Sequence, residues 1–171
     1  MITTFIIIRG NSGSGKSTLA GELRYRLKDA MVISQDVIRR EILNVKDTWG
    51  NHSINLIKMI ASYGDGLFPF VIVEGIMVRE RYGQMLMELK KSCSGIFLPV
   101  YLDVTFKETI LRNQNKSDDQ QCAVSDMSRW WVSQDSLSTE REIIFNDSHT
   151  ISQMVSVILN DLSREHPVYD C

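Results

Sequence analysis

One octet constrains this chain of 171 residues more than any other feature: Gly10-Asn11-Ser12-Gly13-Ser14-Gly15-Lys16-Ser17, a complete G-x-x-x-x-G-K-[ST] pattern. It follows the apolar run Phe5-Ile6-Ile7-Ile8, and Leu19, Leu23 and Leu27 come after it at four-residue spacing. The octet therefore joins a buried strand to an amphipathic helix. Its glycines open backbone conformations closed to other residues, so successive N–H groups can turn inward around phosphate oxygens. The helix that begins here adds the positive end of its dipole. Lys16 reaches the terminal phosphates and the Ser17 hydroxyl is offered to Mg2+. A nucleoside triphosphate is the expected ligand, held by Asn11, Ser12, Gly13, Ser14, Gly15, Lys16, Ser17 and Thr18.

Apolar runs recur at Phe5 to Ile8, Met31 to Ile33, Val71 to Val73 and Ile96 to Leu102, and more weakly at Ile143 to Phe145. Helical patterns separate them. Ile54, Ile57, Ile60 and Ala61 mark one helix, and Ile151, Val155, Ile158 and Leu162 a later one. Tyr82, Met85, Leu86 and Leu89 repeat at i, i+3, i+4, i+7, which is one buried helical stripe. Strands apolar on both faces and joined by helices predict a parallel α/β sheet in three layers. Residues 1–171 fit one domain of this kind. The polar stretch Asn113 to Ser128 is the least regular, and it reads as a mobile lid over the phosphates, extending to Arg129.

In parallel sheets ligands collect at the carboxyl ends of the strands, so residues just past each apolar run carry most weight. After the second run, Asp36 and Arg39 lie one helical turn apart. Asp36 is placed to accept the proton of a substrate hydroxyl, or to join the metal, with Arg39 holding the substrate or a phosphate. Glu74 closes the third run and faces the metal, either through a water or as the base itself; the sequence leaves both roles open. Arg112 and Arg129, with Lys116 between them, are the cations expected to close over the transferring group. Trp130 and Trp131 read as core residues.

Composition removes other classes. A formal net charge of -2 argues against a nucleic-acid partner, which a basic surplus would announce. Arg79 with Arg81, and Lys90 with Lys91, read as solvated helix faces. Cys93, Cys122 and Cys171 show no C-x-x-C spacing, so neither a disulfide framework nor a zinc site is expected, and reduced cytosol is the natural compartment. Arg9 interrupts the first apolar run at once, which marks a strand and not a signal peptide, and no stretch has the length to span a membrane.

The succession GNSGSGKS, QDVIRR, VEG and a cationic flap resembles small P-loop kinases over nearly the whole chain. The likeness is to the group of zeta toxins, chloramphenicol phosphotransferase and polynucleotide 5'-hydroxyl kinases, with Asp36 and Arg39 on its D-x-x-R position. That resemblance implies a five-stranded parallel sheet of order 2-3-1-4-5 with a short lid, ATP and Mg2+ as cofactors, and an aspartate base after the second strand. The expected activity is γ-phosphoryl transfer to a hydroxyl of a small molecule such as an antibiotic, nucleoside or nucleotide sugar. Two rival readings exist. Asp47-Thr48-Trp49-Gly50 fits D-x-x-G and Asn115-Lys116-Ser117-Asp118 fits N-K-x-D, the further signatures of a GTPase switch, although neither follows a buried run. A kinase of nucleic-acid 5'-hydroxyls is the other, disfavoured by the acidic balance.

Overall fold

Every residue of β1 (Thr4–Gly10) is buried, and its alternating side chains divide between two cores. Ile6 and Ile8 enter one cluster with Leu19, Leu23, Leu98, Val100, Met154 and Ile158. Phe5 and Ile7 enter the other with Ile57, Val71, Val73, Tyr82, Leu86 and Leu89. Each such side chain contributes about 1.5–3 kcal/mol by leaving water. Because both faces of the strand are apolar, both need cover, and three layers result.

The computed structural model describes residues 1–115, 117 and 121–165. Along the chain β1 is followed by α1 (Lys16–Arg26), β2 (Ala30–Ser34), a π-helical segment (Val37–Ile42), α2 (His52–Gly64), β3 (Phe70–Gly75) and α3 (Arg79–Ser92). Then come β4 (Phe97–Leu102), α4 (Phe106–Gln114), α5 (Val124–Trp130), β5 (Ile143–Phe145) and α6 (Ile151–Glu165). The sheet is parallel throughout, in the order β2-β3-β1-β4-β5, as the sequence resemblance implies. Helices α1 and α6 cover one face, α2 and α3 the other. Pro99 sits in β4 opposite Ile7, at a level β5 does not reach, since β5 pairs only from Val100 onward. A strand otherwise central to the sheet tolerates a missing N–H there.

Two stretches differ from expectation. After β2 the backbone forms a π-helix, with the Leu43 N–H bonded five residues back to the Ile38 carbonyl at 3.0 Å. The wider turn lets Asp36 reach both Arg39 (2.9 Å) and Arg40 (3.2 Å). The second difference is the lid. Asn113, buried in the last turn of α4, pairs in both directions with the backbone of Cys122, at 2.8 and 3.0 Å. Residues 124–130 then form α5, whose Met127 is buried. The described part of the stretch from 113 to 129 thus contains the end of α4 and the whole of α5 up to Arg129, more regular than its polar sequence suggests; Lys116 lies outside the described residues.

Thr109 of α4 and Met127 of α5 close on the octet at Gly13. There φ is +80°, and an added Cβ would stand 2.7 Å from the Thr109 carbonyl oxygen and 3.3 Å from Met127 Cε. Gly13→Ala is accordingly expected to cost about 1–3 kcal/mol through left-handed strain and overpacking. A lowered denaturant midpoint, with weaker triphosphate binding, is the measurable result.

Candidate active site

Two adjoining cavities open where the strands end. The first, about 520 Å³, is built around the octet and bounded by Glu74, Asp36, Arg112 and the β5–α6 loop. Gly15, at φ 101°, precedes α1 with no side-chain cap, and no acidic residue occupies the first turn. The leading N–H groups and the dipole of α1 are therefore directed at an incoming anion. Lys16 is mostly buried, and its ammonium donates to the Asn11 carbonyl oxygen at 2.8 Å. Ser12 and Thr18 line the same cavity. Arg112, from α4, donates to the Ser14 carbonyl oxygen (3.0 Å) while Glu108 holds its Nε at 2.8 Å. That clasp sets a cation at the rim of the loop.

Ser17 Oγ donates to Glu74 Oε2 at 3.2 Å, which puts a hydroxyl and a carboxylate side by side on the cavity wall. Such hard oxygen donors fit Mg2+, which takes one or two protein ligands and completes its shell with water and phosphate. Among the described residues no group of three or more His, Cys, Asp and Glu forms a cage of its own. Asp36 joins the cavity from the π-helical side, but its Oδ1 is engaged by Arg39 and Arg40. Of the three expected metal ligands, two are in contact and the third pairs with cations.

The second cavity, about 600 Å³, shares Asp36 and Ile76 with the first. Arg81 lies on its wall, bonded to Asp47 Oδ2 at 2.9 Å. The other Asp47 oxygen accepts from the hydroxyl of Tyr82 at 2.7 Å, and Gln35 donates to that hydroxyl at 3.0 Å. Burial pushes the Tyr82 hydroxyl up from its ordinary pKa, which keeps it a proton donor to Asp47. Arg39 donates to both Asp36 (2.9 Å) and the Val45 carbonyl oxygen (3.2 Å).

Several expected positions change here. Arg129 was expected over the phosphates; it stands in the last turn of α5, largely exposed, paired with Asp126 at 3.1 Å and lining the second cavity alone. Within α5 it lies one helical turn from Asp126, the carboxylate that takes up its charge. Arg81 is not a solvated helix charge but a cavity wall. Trp130 is also not core: it is 37% exposed and lines the second cavity, whereas Trp131 is half-buried, edge-on to Phe106 with ring centroids 5.1 Å apart.

Sequence reasoning missed two further groups. One is the β5–α6 loop, whose His149 and Thr150 bound the first cavity, and whose Asp147 accepts from the N–H (2.7 Å) and hydroxyl (2.6 Å) of Thr105. Its polar sequence reads as an ordinary turn. The other begins at Arg9, whose side chain is fully buried one residue before the octet. Its Nε donates to the Met77 carbonyl oxygen (2.9 Å), its Nη2 pairs with Asp135 (2.5 Å), and its guanidinium lies 5.7 Å from the Tyr101 ring centroid. Desolvation pulls the pKa of Arg9 down, while Asp135 and Glu142 pull it back. Asn11 adds a second tie to the same segment, exchanging bonds of 2.7 and 3.1 Å with the backbone of Val132. Breaking a buried pair by deleting one partner costs about 3–5 kcal/mol. Asp135→Ala is expected to lose stability on that scale in urea unfolding, leaving the Asn11–Val132 pair as the octet's own tie to this segment.

No family model matches this sequence, and no curated protein is significantly similar to it. Solved structures do match in shape. The APS kinase CysC of Mycobacterium tuberculosis, in complex with AMPPNP and APS, superposes with a TM-score of 0.73 at 14% identity, covering 95% of this chain and 98% of that one. A gluconokinase from Sinorhizobium meliloti gives 0.69 at 16%, covering 96% and 94%. The tunicamycin resistance protein of Deinococcus radiodurans gives 0.64 at 17%, covering 94% and 95%. This chain has the fold of P-loop kinases. At these identities the likeness shown is that of the fold. No described helix is long and apolar enough to cross a membrane.

Proposed function

We propose that this protein is an ATP- and Mg2+-dependent phosphotransferase that moves the γ-phosphoryl group to a hydroxyl of a small molecule. The observation that carries the reading is the position of Asp36, whose side chain lines both the octet's cavity and the cavity beside it. A carboxylate at that junction is placed to meet an acceptor hydroxyl next to a triphosphate tail. Kinases of small molecules among the similar folds support the same reading.

In this scheme the amides of residues 13 to 17 and the Lys16 ammonium hold the phosphates, and Arg112 steadies the loop from above. Ser17 and Glu74 would hold Mg2+, which would supply charge neutralisation at the phosphate oxygens. Asp36 takes the proton of the acceptor hydroxyl, steered by Arg39. The acceptor oxygen bonds to the γ-phosphorus as the bond to the bridging oxygen breaks, and ADP departs. Arg129 belongs to the acceptor side.

The described residues of the GTPase signatures have other partners. Asp47 anchors Arg81 and Tyr82, and Asn115 is the residue that ends α4, while Lys116 and Asp118 lie outside the described residues. The test combines nucleotide preference with product mass. Incubation with ATP, Mg2+ and a library of metabolites, antibiotics and 5'-hydroxyl oligonucleotides should add a phosphate to a small molecule. Thermal stabilisation by GTP and not ATP, or label only on oligonucleotide ends, would reverse the assignment.

A further inference from the structure

The second cavity has a charge that the chain as a whole does not. Arg39, Arg40, Lys46, Arg81 and Arg129 line it against only two carboxylates, Asp36 and Asp47, in a protein of formal net charge -2. Setting Arg129 against its neighbour Asp126 leaves four cations facing two anions. Lys46 forms no ion pair among the described residues. Arg39 Nε and Arg81 Nε are buried without a hydrogen-bond partner in the protein. Like charges gathered around one concavity repel each other, and a neutral occupant returns nothing for that cost.

Arg81 is also held in place. Asp47 fixes its Nη2, and the buried Tyr82 hydroxyl fixes Asp47 in turn. With Nη2 held by Asp47 and Nε buried, the Nη1 end of this planar guanidinium is the part left to meet a carboxylate or phosphate. Trp130, on the same wall, supplies an apolar ring for a carbon skeleton. The volume, about 600 Å³, is that of a small-molecule site.

We propose that the acceptor is itself an anion, a hydroxylated small molecule bearing a carboxylate or phosphate, and that Arg81, Arg39 and Lys46 read that charge. This rests on the phosphotransferase reading, in which Asp36 stands between donor and acceptor. The anionic group docks among the cations and so directs a hydroxyl of the same molecule toward Asp36.

Calorimetry separates the two readings. The protein is first titrated with AMPPNP and Mg2+, and the loaded protein then receives two matched pairs: D-gluconate against D-glucitol, and D-ribose 5-phosphate against D-ribose. At least one charged member should bind about tenfold or more tighter than its neutral partner, a difference of about 1.4 kcal/mol, and which pair does so tells carboxylate from phosphate. Arg81→Gln should erase that preference while AMPPNP binding persists, which also shows the variant is folded; exposed Lys46→Gln should reduce it if Arg81→Gln fails to fold. Equal binding within both pairs, or no binding of any of the four to loaded protein, overturns the anionic-acceptor inference alone. Failure of AMPPNP to bind overturns the phosphotransferase reading itself.

Discussion

Lys16→Ala should abolish phosphoryl transfer, lowering kcat/KM by about a thousandfold or more, the scale on which a cation stabilises the phosphoryl transition state. The argument is geometric. Lys16 opens α1, it is mostly buried in the octet, and its ammonium rests on the Asn11 carbonyl oxygen at 2.8 Å. From there a rotation of the side chain delivers it to the terminal phosphates, whose charge the amides of residues 13 to 17 meet only in part. Neither core cluster includes Lys16, so lost activity should come with a retained fold. Circular dichroism and the urea midpoint check that separation.

Asp36→Asn is the second large effect and the more discriminating one. It should lower kcat by about a hundredfold or more, the usual scale for removing a general base, with AMPPNP binding close to that of the unaltered protein. Asparagine preserves an oxygen for Arg39 and Arg40, so the π-helical turn keeps its side-chain contacts. Glu74→Gln provides the contrast. If Glu74 serves the metal beside Ser17, its loss should raise the Mg2+ concentration needed for activity, and excess Mg2+ should restore part of the rate. Were Glu74 the base instead, Asp36→Asn would be nearly silent, and Glu74→Gln would stay inactive at every Mg2+ concentration.

Much of this molecule can be read from its residues because its strands leave little choice. Phe5 to Ile8 is apolar on both faces, and only burial between two helical layers accommodates that. The octet and Glu74 were legible for a related reason: strand ends in a parallel sheet converge on one crevice. What escaped notice depends on packing between distant segments. Tyr82 belongs to a helical stripe, Arg81 is one charge on a helix, and Asp47 sits in a loop, so each alone has a simpler explanation. Only the packing of α3 against residues 46–51 brings them into one network. The helix α5 was hidden similarly, since Val124, Met127 and Trp130 are its only apolar residues and of these only Met127 is buried, beside Gly13 of the octet. The π-helix looks like an ordinary helical start in sequence, because its extra residue per turn is a property of the backbone and not of any side-chain pattern.

Following the terminal phosphate of γ-radiolabelled ATP tests the core of the account most directly. With Mg2+ and a hydroxyl acceptor present, the label should move onto the acceptor, at a rate that collapses in both Lys16→Ala and Asp36→Asn. Label released only as inorganic phosphate, at the same rate with or without any acceptor, would contradict it.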